Sequence, residues 1–144
     1  MGFSVAAAAA ILFAGGLVSF TIVLEAMDSA QQDVRDARAV EDKRGEDLAN
    51  TRINLVNGTA NGTAIDMNLT NNGSVIIHVN SLEVLVNGTL YSASVTLKAV
   101  NGATGTNLWA PSQTLRLVVA APVAGPAGVR LITDTGYAFQ GTVS

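Results

Sequence analysis

The first 24 residues carry no ionisable side chain; Glu25 is the first charge in the chain. At about 1.5 Å per helical residue, that stretch spans about 36 Å, more than the ~30 Å hydrocarbon core of a bilayer. A secretory signal needs a basic leader and an apolar core of about 7–15 residues. Here no basic residue precedes the run, and the run is longer. Asp28-Ser29-Ala30 mimics a small-residue cleavage point, so removal is the competing reading. A buried helix of a soluble protein is the third, but the remaining residues hold no pattern able to wrap it. Residues 1–24 are therefore expected in lipid or in the core of a helical assembly.

The residue types within the run favour packing against other helices. Ala6 to Ala10 is an unbroken stretch of alanine, followed by Ala14, Gly15, Gly16 and Ser19. Small surfaces let backbones approach closely, which is a main source of helix association in lipid. Phe3, Ile11, Leu12, Phe13, Gly15, Gly16, Leu17 and Phe20 are the candidate membrane and helix-packing residues. A plain anchor is the simpler alternative.

Residues 25–52 hold 13 of the 19 charged side chains, eight acids and five bases. With acids in excess, the positive-inside rule gives no reason to keep this side cytoplasmic, so the C-terminal part is expected outside. No glycine interrupts residues 17–44 and no proline occurs before Pro111. Apolar or small residues at Met27, Ala30, Val34, Ala37 and Leu48 follow a spacing of three and four, interrupted at Glu41 and Arg44. This predicts a solvated helical stalk, with self-association of the stalk as the alternative.

From Thr51 the period changes to two. Residues 65–70 alternate apolar and polar, as a half-buried strand does. Further short runs fall at 51–56, 74–79, 82–86, 89–91, 95–99, 115–119 and 129–133, punctuated by Asn-Gly pairs that suit tight hairpin turns. Val95, Leu97 and Ala99 are expected on one face, and residues 129–133 are expected to form the last strand. About seven short strands in roughly 90 residues match an immunoglobulin-like β-sandwich, without the cysteine pair and core tryptophan of antibody domains. A small open barrel is the runner-up. The fold class is thus α+β: a long apolar helix (1–24), a charged helical stalk (25–52) and an all-β sandwich (53–144).

Five Asn-x-Ser/Thr sequons begin at Asn57, Asn61, Asn68, Asn72 and Asn87. On turns or an outward strand face they suit N-glycosylation outside the cell, although Ser and Thr also simply accompany turns.

Little else suggests chemistry. Asp134-Thr135-Gly136 copies the triplet of aspartic proteases, but those enzymes pair two carboxylates, and a turn explains the triplet more simply. His78 has no second imidazole nearby and reads as a strand residue. The acids of residues 33–42 lack the glycine turn of a calcium loop. There is no cysteine, and the net charge of −3 offers no basic field for nucleic acid. No enzymatic activity, cofactor, metal, nucleic acid or small-molecule substrate is expected.

Met1-Gly2-Phe3-Ser4-Val5, the alanine run, Ala10-Ile11-Leu12-Phe13-Ala14-Gly15 and Leu17-Val18-Ser19-Phe20 resemble the start of the archaellum accessory proteins F and G, of the type IV pilin-like superfamily. Asn107-Leu108-Trp109-Ala110-Pro111-Ser112 before a Thr-Leu-Arg-Leu strand, and Leu131-Ile132-Thr133-Asp134-Thr135-Gly136, extend the resemblance along the chain, nearer to F than to G. The resemblance implies a pilin-like N-terminal helix and a β-sandwich between the membrane and the S-layer. It also implies a stator role, with the S-layer protein, sister subunits and further copies of the chain as partners. Archaellins share this plan but usually carry a basic residue before the cleavage glycine, where this sequence has only Met1. A filament-forming subunit, archaellin or pilin-like, with its helices bundled in an extracellular filament, is the alternative. The runs 82–86 and 129–133 are the candidate exposed edges for strand-to-strand contact.

Overall fold

A computed structural model describes residues 2–144 of the chain. Among the described residues one α-helix, α1, runs Gly2–Asn50. Alanine-rich composition and the absence of proline keep it unbroken, while Gly15, Gly16 and Gly45 each weaken it by about 0.8–1.0 kcal/mol relative to alanine. No residue of the helix is buried. The chain divides into two compact units, the helix up to Lys43 and a second unit of Arg44–Ser144.

The second unit carries eleven strands: β1 (Ile53–Ala60), β2 (Ile65–Asn71), β3 (Ile77–His78), β4 (Glu83–Val86), β5 (Thr89–Leu90), β6 (Val95–Val100), β7 (Ala103–Thr104), β8 (Leu108–Trp109), β9 (Thr114–Val119), β10 (Ala127–Ile132) and β11 (Ala138–Val143). They form a five-stranded sheet in the order β1-β2-β9-β6-β7, a four-stranded sheet β11-β10-β4-β5 and the short pair β3-β8. Every pairing is antiparallel. The inward residues of both larger sheets share one apolar core, among them Ile65, Met67 and Leu69 of β2, Leu115, Leu117 and Val119 of β9, and Val129 and Leu131 of β10. Complete burial of each such side chain contributes about 1.5–3 kcal/mol. The α+β sandwich expected from the period-two pattern is the observed fold.

Four details differ from the expectation. The sheet does not end with residues 129–133. β11 follows and pairs along the full length of β10, so β10 lies between β11 and β4. Neither 82–86 nor 129–133 is therefore a free edge; β1, β7, β11 and β5 occupy the edge positions. The run at 74–79 is reduced to two strand residues, because the turn before it is held elsewhere.

The third difference is one of phase. β6 is bulged between Val95 and Leu97, so Val95 opposes Val119 whereas Leu97 opposes Val118. A one-residue slip reverses which face every following side chain takes. Lys98 and Val100 therefore turn inward with Leu117 and Leu115, and Leu97 and Ala99 go outward with Val118 and Arg116. The inward lysine is satisfied: its Nζ donates to the Val79 carbonyl at 3.1 Å.

The fourth is Trp109, which is fully buried although it lies outside every strand run read from the sequence. It pairs with Ile77 through β8 and β3, and its Nε1–H donates to the Gln113 carbonyl at 2.8 Å. The sandwich thus has a core tryptophan after all. Beside it lies buried Asn71, whose Nδ2 donates to the carbonyls of Val75 (2.8 Å) and Trp109 (3.1 Å). Its Oδ1 accepts the Gly73 N–H at 3.0 Å.

Those bonds shape the turn that receives the end of α1. The Ser74 N–H donates to the Asn50 carbonyl at 3.0 Å, satisfying an orphan acceptor of the last helical turn, and the Asn72 N–H donates to Arg52 at 2.8 Å. Gly73 lies so close that an added Cβ would sit 2.7 Å from the Arg52 nitrogen. The Thr51 hydroxyl donates to the Asp47 carbonyl at 2.6 Å and lies 3.3 Å from the Thr135 hydroxyl. Thr135 in turn meets buried Thr133 at 2.7 Å.

Candidate membrane segment and sandwich surface

In the first unit, the large apolar side chains singled out from the sequence all face solvent. Phe3 is 91% exposed, Leu12 77% and Phe13 71%, and Ile11, Leu17 and Phe20 are likewise exposed. A Cβ added at Gly15 or Gly16 would meet nothing within 4 Å. Leaving these six large side chains in water forfeits roughly 1.5–3 kcal/mol each, on the order of 10 kcal/mol together. That is comparable to the whole stability of a typical domain. The segment is long and apolar enough to cross a membrane.

Its few polar groups are compatible with that environment. The Ser19 hydroxyl donates back to the Gly15 carbonyl at 2.9 Å, and Thr21 donates to Val18 at 2.8 Å. Hydroxyls bonded within their own helix leave no donor stranded in hydrocarbon. The small residues and the bulky ones thus share one uninterrupted surface that offers apolar contact and close approach, and no catalytic group.

On the sandwich, the five sequon asparagines fall in different settings. Asn57 and Asn68 oppose each other across β1 and β2 on the outer face, opposite in direction to Met67 and Leu69. The Asn68 Nδ2 donates to the Asn57 Oδ1 at 2.7 Å. Asn61 opens the loop between β1 and β2, Asn72 lies in the turn against the end of α1, and Asn87 occupies the β4–β5 turn with φ 49°. Near Asn68, Asp66 and Arg116 form a two-pronged ion pair whose shortest contact is 2.6 Å. The carboxylate hydrogen bond holds the Arg116 guanidinium pKa above its already high ordinary value.

Asp134-Thr135-Gly136 forms the turn joining β10 to β11, with Gly136 at φ 88°. The Asp134 carboxylate accepts its neighbour's N–H at 3.1 Å and meets His78 Nδ1 at 2.6 Å. Both groups are partly exposed. The triplet is a hairpin turn whose threonine reaches the helix end, and His78 has an acidic partner that sequence spacing did not reveal. Among the described residues, no three of His, Cys, Asp and Glu converge on a metal-sized site.

The fold is similar to that of the archaellum periplasmic stator protein FlaG from Sulfolobus acidocaldarius. The TM-score is 0.50 at 16% sequence identity, over 64% of this chain and 98% of that one. A structure of the complex of FlaF and FlaG from the same organism aligns at TM-score 0.47 and 15% identity, over 64% of this chain and 88% of the other. No family model matches the sequence, and no curated protein matches it significantly. At this identity the FlaG likeness establishes the fold.

Proposed function

We propose that this chain is a non-enzymatic structural component of the archaeal motility machinery, of the F/G stator type. Its N-terminal helix sits in the membrane. Its β-sandwich lies on the extracytoplasmic side and tethers the motor to the S-layer. The observation that carries the reading is the pairing of a wholly unburied, uncharged helical segment with a sandwich whose fold is similar to a stator's. A rotary machine needs a fixed reference, and a membrane-held sandwich that grips an outer lattice supplies one. Sister stator subunits and further copies of the chain are its other partners.

The F-like character rests on the sequence resemblance along the chain; the fold is similar to that of a G-type protein. The two make different demands, since an S-layer binder meets the lattice directly and a G-type subunit meets other stator subunits. Capture experiments on cell envelopes test the proposal. Full-length protein retaining the S-layer protein, with retention lost when the outer sandwich surface is charge-reversed, supports tethering. Retention of sister subunits alone refutes it while leaving the stator role intact.

A second reading is favoured by one specific observation: Ala6 to Ala10, Gly15 and Gly16 leave the helix surface open to close approach. In that reading the chain is a filament subunit, with these helices bundled centrally. Electron microscopy of the purified chain separates the two, because long helical filaments with residues 2–24 in the core contradict the stator reading.

A further inference from the structure

The charges in the middle of the stalk are poorly matched within one helix. Residues three and four apart are neighbours on a helical surface. Asp33 has another acid, Asp36, three residues on, and no base three or four residues away in either direction. Arg35 likewise has Arg38 three residues on and no acid at either spacing. Arg38 pairs with neither Glu41 nor Asp42 ahead of it. Among the described residues, none of the charges of residues 25–52 takes part in an ion pair; the pairs that form are Asp66–Arg116 and His78–Asp134 of the sandwich.

The same segment carries an apolar seam. Phe20, Val23, Met27, Ala30, Val34 and Ala37 alternate spacings of three and four, the repeat that lets two helices wind around each other. All six are exposed. Between them lies a shallow groove lined by Met27, Ala30, Gln31, Val34, Arg35 and Arg38. Met27, Ala30, Gln31 and Val34 are the four residues that frame one hole of a parallel two-stranded coiled coil, the hole that Ala30 of a second copy fills. In that register Asp33, just before Val34, and Arg38, just after Ala37, occupy the flanking positions whose side chains meet across the pair. Each Asp33 then faces Arg38 of the other copy, twice by symmetry. Five residues apart on one helix, the two do not face each other.

We propose that residues 20–38 pair with a second copy of this chain as a parallel, in-register coiled coil, with Asp33 and Arg38 as the inter-chain ion pairs; the inference rests on the membrane placement of α1, which points both helices the same way. Continuing the seam gives Glu41 and Arg44, each of which meets its own kind in this register, so the helices part there. Subunits of a helical filament are displaced along its axis, so equal residues do not meet in that arrangement.

The chain has no cysteine, so single introduced cysteines report the register. Full-length Ala30→Cys, Ala37→Cys and Ala39→Cys chains are oxidised mildly in membranes of an archaeal host. Covalent dimers are expected from the first two and not from Ala39→Cys, which lies on the opposite face. Asp33→Arg or Arg38→Asp, placed in the Ala30→Cys chain, should each slow dimer formation about five- to tenfold, because two attractions become two repulsions. Both reversals in one chain should restore the rate, since the inter-chain pairs form again with exchanged signs and the net charge is unchanged. Recovery of the chain in alkali-washed membranes is read alongside. A membrane-retained chain that gives no dimer at Ala30 and Ala37, that dimerises equally at Ala39, or that is not restored by the double reversal overturns the inference and leaves the membrane placement intact. A chain absent from the washed membranes overturns both.

Discussion

Replacing Asn71 by alanine tests whether the buried polar residue organises one end of the sandwich. Three hydrogen bonds are lost, to the Val75 and Trp109 carbonyls and from the Gly73 N–H. At a net of about 1 kcal/mol each this amounts to about 3 kcal/mol, and stranding buried partners costs a further 1–3 kcal/mol or so. A loss of about 4–6 kcal/mol is expected. For a unit the size of Arg44–Ser144, each kcal/mol moves the melting temperature by about 4–8 °C, so a fall of at least ~16 °C follows. The single tryptophan is fully buried beside the substituted residue and reports the transition by its own fluorescence. Asn68→Ala is the matched control: it removes one exposed hydrogen bond and should cost about 1 kcal/mol or less. If Asn71→Ala loses no more than Asn68→Ala, the assigned role of the buried amide is wrong.

Other substitutions have distinct expected outcomes. Gly73→Ala should destabilise the sandwich by about 1–3 kcal/mol in denaturant titration, because its Cβ meets the backbone of Asn50 and Arg52. Gly88→Ala has open space but φ +84°, so only the conformational cost of about 1–2 kcal/mol is expected. Asp66→Ala breaks a largely exposed ion pair and should shift stability by less than about 1 kcal/mol. Gly16→Arg should disfavour membrane insertion by about 2.5–3.5 kcal/mol, read as the fraction of chain recovered in alkali-washed membranes.

Strands that alternate strictly were legible in the sequence. Ile65, Met67 and Leu69, and Leu115, Leu117 and Val119, announce their faces by their own residue types. β6 was misread because a bulge is a property of the pairing with β9, and the residues Val95, Leu97 and Ala99 keep an alternating look on either side of it. β11 was missed because its inward residues are Phe139, Gly141 and Val143, too few apolar groups to mark a period. Gly141 is small there because an added Cβ would sit 2.8 Å from the Phe139 ring. Trp109 gains its burial from a two-residue strand, far below the length at which a pattern shows. The sequons were visible as a set, but what separates them is long-range. Asn87 is fixed by Gly128 and Asn57 by Asn68, partners that a reading along the chain cannot supply. The uncharged apolar segment was the clearest feature, because 24 residues without charge admit few environments.

The absence of cysteine makes the central claim directly measurable, since single cysteines introduced for nitroxide labels meet no native competitor. Labels at Phe13→Cys and Ala39→Cys in native membrane vesicles should report opposite environments by electron paramagnetic resonance. The account predicts that the first relaxes with oxygen and is shielded from a water-soluble nickel chelate, and that the second shows the reverse. A Phe13 label as accessible to the chelate as the Ala39 label would contradict the account.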